Sequence, residues 1–177
     1  MGLDIETTGS DPKVHSLIQV GLASGLGEWM SCDVRPYSAS YVVEEEAMKV
    51  NGFTVERVEA GFPQEQADEM CSEWLAKRFG DERLIPVGWS VGTFDMPFIR
   101  KTLPLTAAHF GHRSCDLNAV LFAKTFSTGW KVKGSFDQLK RGTKERVAEL
   151  LGWEHWHDAG YDALASLAAL HVLKEMT

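Results

Sequence analysis

Hydrophobic positions fall into short runs separated by brief polar turns, with one long apolar stretch near the end of the chain. Leu17 to Ala23 predicts a strand, and Glu28 to Val34 predicts its hairpin partner. Ala67, Met70, Cys71, Trp74, Leu75 and Phe79 recur near helical spacing, which predicts an amphipathic helix over Gln64 to Phe79. Leu84 to Val87 predicts a short strand after Gly80. Phe94 to Leu103 predicts a helix with Asp95 as its N-cap and Pro97 in the first turn. Cys115 to Leu121 predicts another strand or turn. Ala159 to Met176, rich in Ala and Leu, predicts a helix. Strands and helices alternate, which predicts an α/β class with a hairpin at the start of the sheet. Turn signals such as Gly9-Ser10-Asp11-Pro12 and Gly61-Phe62-Pro63 are too short to be linkers. Residues 1–177 therefore read as one domain.

Composition narrows the class. The chain is 44% hydrophobic and 24% charged, as in globular proteins that bury a core. Its net charge of -7 argues against coating DNA or anionic lipid through bulk charge. A metal-collecting site would itself be acidic, so a nuclease is compatible with that sign. Cys32, Cys71 and Cys115 are far apart and form no Cys-x-x-Cys pair, which predicts free thiols in a reducing compartment. No apolar run reaches 18 residues, and no basic-then-apolar leader opens the sequence. A cytoplasmic protein is the expectation.

Three acid-bearing segments stand out. Asp4 and Glu6 share one face if Leu3 to Glu6 is a strand. At about 4 Å, two such charges repel by roughly 1 kcal/mol in water and roughly 4 at an effective dielectric of 20, a conflict that a divalent cation removes. Two surface acids on an exposed edge strand are the alternative. Asp95 follows an apolar strand and opens a helix, where it serves as a cap, a ligand or both. Asp162 lies early in an otherwise apolar helix, and His157 precedes it on more flexible backbone. A histidine there has the range to accept a proton from water near neutral pH; a surface imidazole is the plain alternative. His155 and His157 also form a His-x-His pair, but no thiolate or third histidine has matching spacing for zinc. Four carboxylates without thiolates suit hard cations such as Mg2+ or Mn2+.

In this order the residues resemble the DEDDh family of 3′-to-5′ exonucleases. Asp4-Ile5-Glu6-Thr7-Thr8-Gly9 is similar to its first motif, Phe94-Asp95 to its second, and His157 with Asp162 to its third. Asp158 stands where the tyrosine branch of the family would need Tyr. Glu46 to Thr54 is similar to the stretch between hairpin and first helix. Only three residues precede Asp4, which predicts an unusually short first strand. Trp89-Ser90 replaces the His-Asn pair common before the second acid.

The resemblance implies a ribonuclease H-like fold, a mixed central sheet of about five strands flanked by helices. It implies release of nucleoside monophosphates from the 3′ end of single-stranded nucleic acid. By the same resemblance, Asp4, Glu6, Asp95 and Asp162 hold two divalent ions, Mg2+ or Mn2+, about 3.5 to 4 Å apart. His157 is then the general base. Thr7, Thr8 and Gly9 would lie beside the scissile nucleotide. Phe94 would stack on the terminal base or pack in the core, and Met48 would cover the terminal nucleotide or stay buried.

Charge is unevenly distributed. Residues 124–146 carry seven Lys and Arg against two acids, a net +5, and the rest of the chain carries -12. Lys131 and Lys133, with Trp130 and Phe136 interleaved, make this stretch a candidate phosphate-tracking surface; a solvated loop and helix face is the alternative. Single-stranded DNA and RNA remain alternative substrates, with DNA slightly favoured. An RNA trimmer of the ribonuclease T or oligoribonuclease type, and an inactive binding module, compete with the first reading. Trp74, Trp153 and Trp156 could supply an interface for a DNA polymerase or another partner, or simply fill a core, and a chain of this length also suits a homodimeric RNA trimmer.

Overall fold

The computed structural model describes residues 1–38, 40–126 and 132–175. Strand β1 (Gly2–Thr7) pairs antiparallel with β2 (Leu17–Gly25), which pairs antiparallel with β3 (Glu28–Arg35). Three two-residue strands, all parallel to their neighbours, complete the sheet: β4 (Phe62–Pro63) beside β3, β5 (Val87–Gly88) beside β1, and β6 (Cys115–Asp116) beside β5. The order is β4-β3-β2-β1-β5-β6. β1 has an ordinary length of six residues, because Gly2 and Thr7 extend the pairing beyond Leu3 and Glu6.

Eight helices accompany the sheet among the described residues. They are α1 (Glu45–Asn51), α2 (Val55–Ala60), α3 (Gln64–Phe79), α4 (Asp95–Thr102), α5 (Pro104–Ala108), α6 (Leu117–Phe126), α7 (Val132–Leu151) and α8 (Ala159–Glu175). One face of the sheet carries Leu3, Ile5, Val20, Leu22 and Val34, which pack on Ala67, Cys71 and Leu75 of α3 and on Phe98 and Ile99 of α4. A second cluster joins Val87 to Leu117 and Leu121 of α6, Val147 of α7, and Tyr161, Ala165 and Ala169 of α8. All three cysteines are free thiols, with Cys32 and Cys71 buried.

Helix α8 lies over β1 and β2 at very short range. A Cβ on Gly21 would stand 1.8 Å from the carbonyl oxygen of Ala159, and one on Gly2 would stand 2.1 Å from that of Ala163. Only glycine permits this approach. Alternation then decides what α8 meets: Leu3 and Ile5 face the apolar core, so Asp4 and Glu6 face α8. Asp4 is paired with Gly21 in the sheet, which sets it beneath the first turn of α8.

Several expected elements shift. Leu84 forms only an isolated bridge to Phe110, and Pro86 has no N–H to extend a ladder, so the strand is Val87–Gly88. Cys115 to Leu121 is a strand for two residues and then a helix. The Asp116 carboxylate accepts the Asn118 N–H at 2.9 Å and turns the chain. Asp95 is the first residue of α4 rather than its cap; Phe94 holds the cap position without a side-chain bond. Most of α7 lies in the basic stretch, and the hydrophobic pattern alone did not reveal that helix. Trp130 and Lys131 lie outside the described residues, as does the Lys133 side chain. No helix among the described residues is long and apolar enough to cross a membrane.

Candidate active site

The site forms where β1 ends, where β5 passes into α4, and where α8 begins. Asp4, Glu6, Phe94, Asp95, His157 and Asp162 line one cleft of about 260 Å³, together with Ile5, Trp89, Lys140, Lys144 and Trp156. All four acids and the histidine of the sequence motifs are thus brought together. Glu6, His157 and Asp162 each offer a donor atom within 4.8 Å of the others.

The acids come from the end of β1, the start of α4 and the first turn of α8. Asp95 is buried at the first residue of α4. The parallel pairing of β1 with β5 involves only Gly2 and Val87, so Ile5 lies beyond the paired segment. Asp162 accepts the His157 backbone N–H on Oδ2 at 2.8 Å. Beside Glu6, the Asn51 side chain donates to the Thr7 carbonyl at 3.1 Å.

Burial pushes the Asp4 carboxyl well above the usual carboxylate range, and Asp95, Asp162, Glu6 and Asp158 push it further by repulsion. Burial also raises Glu6, to about 8, with Asp162 and Asp158 adding to the shift. Asp95 and Asp162 rise from the same first cause. Crowded carboxylates that resist ionisation alone are ionised readily by a cation among them. The donor set is hard oxygen with one imidazole at the rim, and it fits Mg2+ or Mn2+.

His157 sits at φ 68, a left-handed conformation that costs a non-glycine residue about 1 kcal/mol or more. Bonds on both sides hold it there. Asp158, the next residue, caps α8 by accepting the Tyr161 N–H on Oδ1 at 3.2 Å. Its other oxygen accepts Nε2 of Gln19 at 3.1 Å. Gln19 is buried and also donates to Asp33 Oδ1 at 2.9 Å, while its Oε1 accepts the Ala159 N–H at 2.8 Å. Asp33 completes the chain through a bidentate bond from Arg57, at 2.8 and 3.0 Å. Gln19 was not singled out in the sequence, because its partners Asp158 and Ala159 lie some 140 positions away. In the sheet Gln19 pairs with Glu6, which sets it beside the cleft.

The other expected residues have partners within the chain. The Thr7 hydroxyl donates to the Gly9 carbonyl at 2.8 Å. The Thr8 hydroxyl donates to the Val42 carbonyl at 2.7 Å, and the Thr8 N–H donates to Ser16 at 2.9 Å. These residues are occupied in tying the loops around β1. Gly9 makes room for His15, whose ring a Cβ would meet at 2.4 Å. Met48 packs near Ile18, Phe53 and Val58 and lines a separate apolar groove of about 440 Å³. Phe94 lines the cleft, and its ring lies 5.4 Å from that of Phe98. Trp156 also faces the cleft, edge-on to Tyr161 at 5.0 Å, and Trp74 packs against the core under Arg78.

No protein-family model matches the sequence, and no curated protein matches it. Solved structures do resemble it. E. coli exonuclease I in complex with a dT13 oligonucleotide superposes with a TM-score of 0.68 at 19% identity, over 98% of this chain and 40% of that one. The fold is ribonuclease H-like. A product-bound structure of exonuclease I gives 0.69 at 19% identity, over 97% of this chain and 42% of that one. Exonuclease I from Methylocaldum szegediense gives 0.67 at 20% identity, over 99% and 40%. The chain thus spans about two fifths of the length of these proteins.

Proposed function

We propose that this chain is a metal-dependent 3′-to-5′ exonuclease of the DEDDh type, acting on single-stranded nucleic acid. The observation that carries the reading is the convergence of Asp4, Glu6, Asp95 and Asp162 with His157 in one cleft walled by two lysines. Single-stranded DNA is the substrate to try first, because E. coli exonuclease I of the same fold is seen in complex with dT13.

Asp4, Glu6, Asp95 and Asp162 would hold the divalent ions. When bound, such ions acidify water and offset charge on phosphate. The chain's own residues account for the rest. The terminal phosphodiester would sit over these four carboxylates, beside Phe94. His157, exposed on its left-handed turn, accepts the proton as water adds to phosphorus. The bond from phosphorus to the 3′ oxygen breaks, the shortened strand regains a 3′ hydroxyl by taking a proton from solvent, and a nucleoside 5′-monophosphate leaves. Phe94 offers an aromatic face beside the leaving nucleotide.

The test is product analysis. Single-stranded DNA and RNA of one sequence are incubated in Mg2+, in Mn2+ and in chelator, and products are resolved by chromatography. Nucleoside 5′-monophosphates appearing only with metal support the reading. Internal fragments, or 3′-monophosphates, contradict it.

A further inference from the structure

The carboxylate cleft does not end at the carboxylates. A second cavity of about 500 Å³ adjoins it along the length of α7. The two cavities share Lys140, Lys144, Trp156 and His157. Lys140 and Lys144 stand one helical turn apart, so both project toward the same side of α7. Both are half-buried, and both ammoniums rest on aromatic faces. Lys140 Nζ lies 4.8 Å from the Trp89 ring centre, and Lys144 Nζ lies 4.3 Å from that of Trp156. The acids that also border the outer cavity, Asp137, Glu145 and Glu154, are exposed at its rim. The inner wall is therefore cationic and aromatic, while the rim is mixed.

We propose that Lys140 and Lys144, backed by Trp89 and Trp156, form a second subsite for the phosphodiesters on the 5′ side of the scissile bond. The substrate class is then a single-stranded chain several nucleotides long, entering along α7, and not a free nucleotide ester. This inference rests on the exonuclease reading. Three features support it. The subsite opens directly into the carboxylate cleft, so one strand can occupy both. An ammonium on an indole face is held loosely and can turn to a phosphate without leaving a carboxylate unpaired. Burial and the neighbouring Lys144 charge also depress the Lys140 amine, a conflict that an anion between the two relieves. The indole faces uncovered by that turn would be free to stack on bases, which is tolerant of sequence.

The experiment compares Lys140→Gln/Lys144→Gln with the parent chain in two assays. The first measures hydrolysis of 4-nitrophenyl thymidine 5′-phosphate, an ester one nucleotide long, and of dT12. The second measures anisotropy of 5′-fluorescein dT12 in Mg2+ across a KCl series, with His157→Ala in both chains so that the strand persists. The expected result is a loss on dT12, read as a rise in KM, about tenfold larger than any change on the ester. The slope of log affinity against log salt should fall by about 1.4, from two lost single-strand phosphate contacts. An unchanged slope, or an equal loss on ester and oligomer, overturns the subsite. Should the double variant unfold, Lys144→Gln alone should lower the slope by about 0.7. Failure of the exonuclease reading itself looks different: the parent chain would shorten no strand, whatever the anisotropy shows.

Discussion

The backbone N–H of His157 donates to Oδ2 of Asp162 at 2.8 Å, so the two ends of the third motif hold each other in place. The bond satisfies one carboxylate oxygen and pins a residue whose φ of 68 needs external support. It also separates two roles that activity alone would confuse. Asp162→Asn keeps an oxygen that can accept this bond but loses the charge. Its turnover should fall at least a hundredfold, while its melting temperature in chelator should stay level or rise, because a buried and repelled charge is gone. Calorimetry on the variant checks the second half. A large drop in melting temperature would show that the charge itself stabilises the fold.

His157→Ala separates binding from chemistry. Titration with Mn2+ should give nearly the parent affinity, because the four carboxylates remain. Turnover should fall by about 10² to 10⁴, the usual contribution of a positioned base. Equal loss of metal binding would make His157 a ligand.

Gln19 links Asp33, Asp158 and Ala159 from a buried position. Gln19→Ala leaves the Ala159 N–H without a partner and frees Asp158 on one side. Urea unfolding should show a loss of about 1–3 kcal/mol, the cost of an unsatisfied buried group. Turnover should fall more than KM rises, because the His157 turn loosens while the phosphate contacts stay. Gln19→Glu keeps the acceptor but adds a third acid between Asp33 and Asp158, and it should be worse than Ala at neutral pH.

Acid crowding gives the metal-free protein an unusual pH dependence. Glu6 has an ordinary value of 4.5 and is raised to about 8 in the folded chain. Between those values the folded state binds more protons than the unfolded state. Stability therefore falls as pH rises through this window. Asp4, Asp95 and Asp162 shift in the same direction. In chelator, the melting temperature should drop between about pH 5 and pH 8. Mg2+ should raise it more at pH 8 than at pH 6, since binding requires the ionised acids. A metal-free protein that gains stability over that window would contradict the crowding.

Gly21→Ala tests the close seat of α8. The added Cβ would overlap the Ala159 carbonyl at 1.8 Å, so the helix must move away from β2 and carry Asp162 with it. Overpacking of this kind costs about 1–3 kcal/mol. Activity should be lost even where the variant still folds, and thermal melts alongside turnover will read both.

The acids and the histidine were legible because local order carries them: Asp4 and Glu6 two apart on a strand, His157 and Asp162 flanking a helix start. The long pieces, β2, β3, α3 and α8, were also legible from periodicity. The sheet order was not. β5 and β6 are two residues each, and their places depend on parallel neighbours far away in sequence. Cys115 to Leu121 misled because a short apolar run suits a strand or a buried helix equally. Helix α7 was hidden by its charges, since Phe136, Leu139, Val147 and Leu151 supply only a thin apolar stripe. Thr7 and Thr8 sit in the expected motif, yet their hydroxyls serve the loop at residues 9–16 and Val42, a fact set by tertiary contacts.

The most direct test of the central claim follows a 5′-labelled single strand in Mg2+ with the parent chain and with Asp162→Asn side by side. The account predicts a ladder shortening steadily from the 3′ end with the parent, and an intact strand with the variant. Shortening by Asp162→Asn at the parent rate would contradict the assignment of this cleft as the catalytic centre.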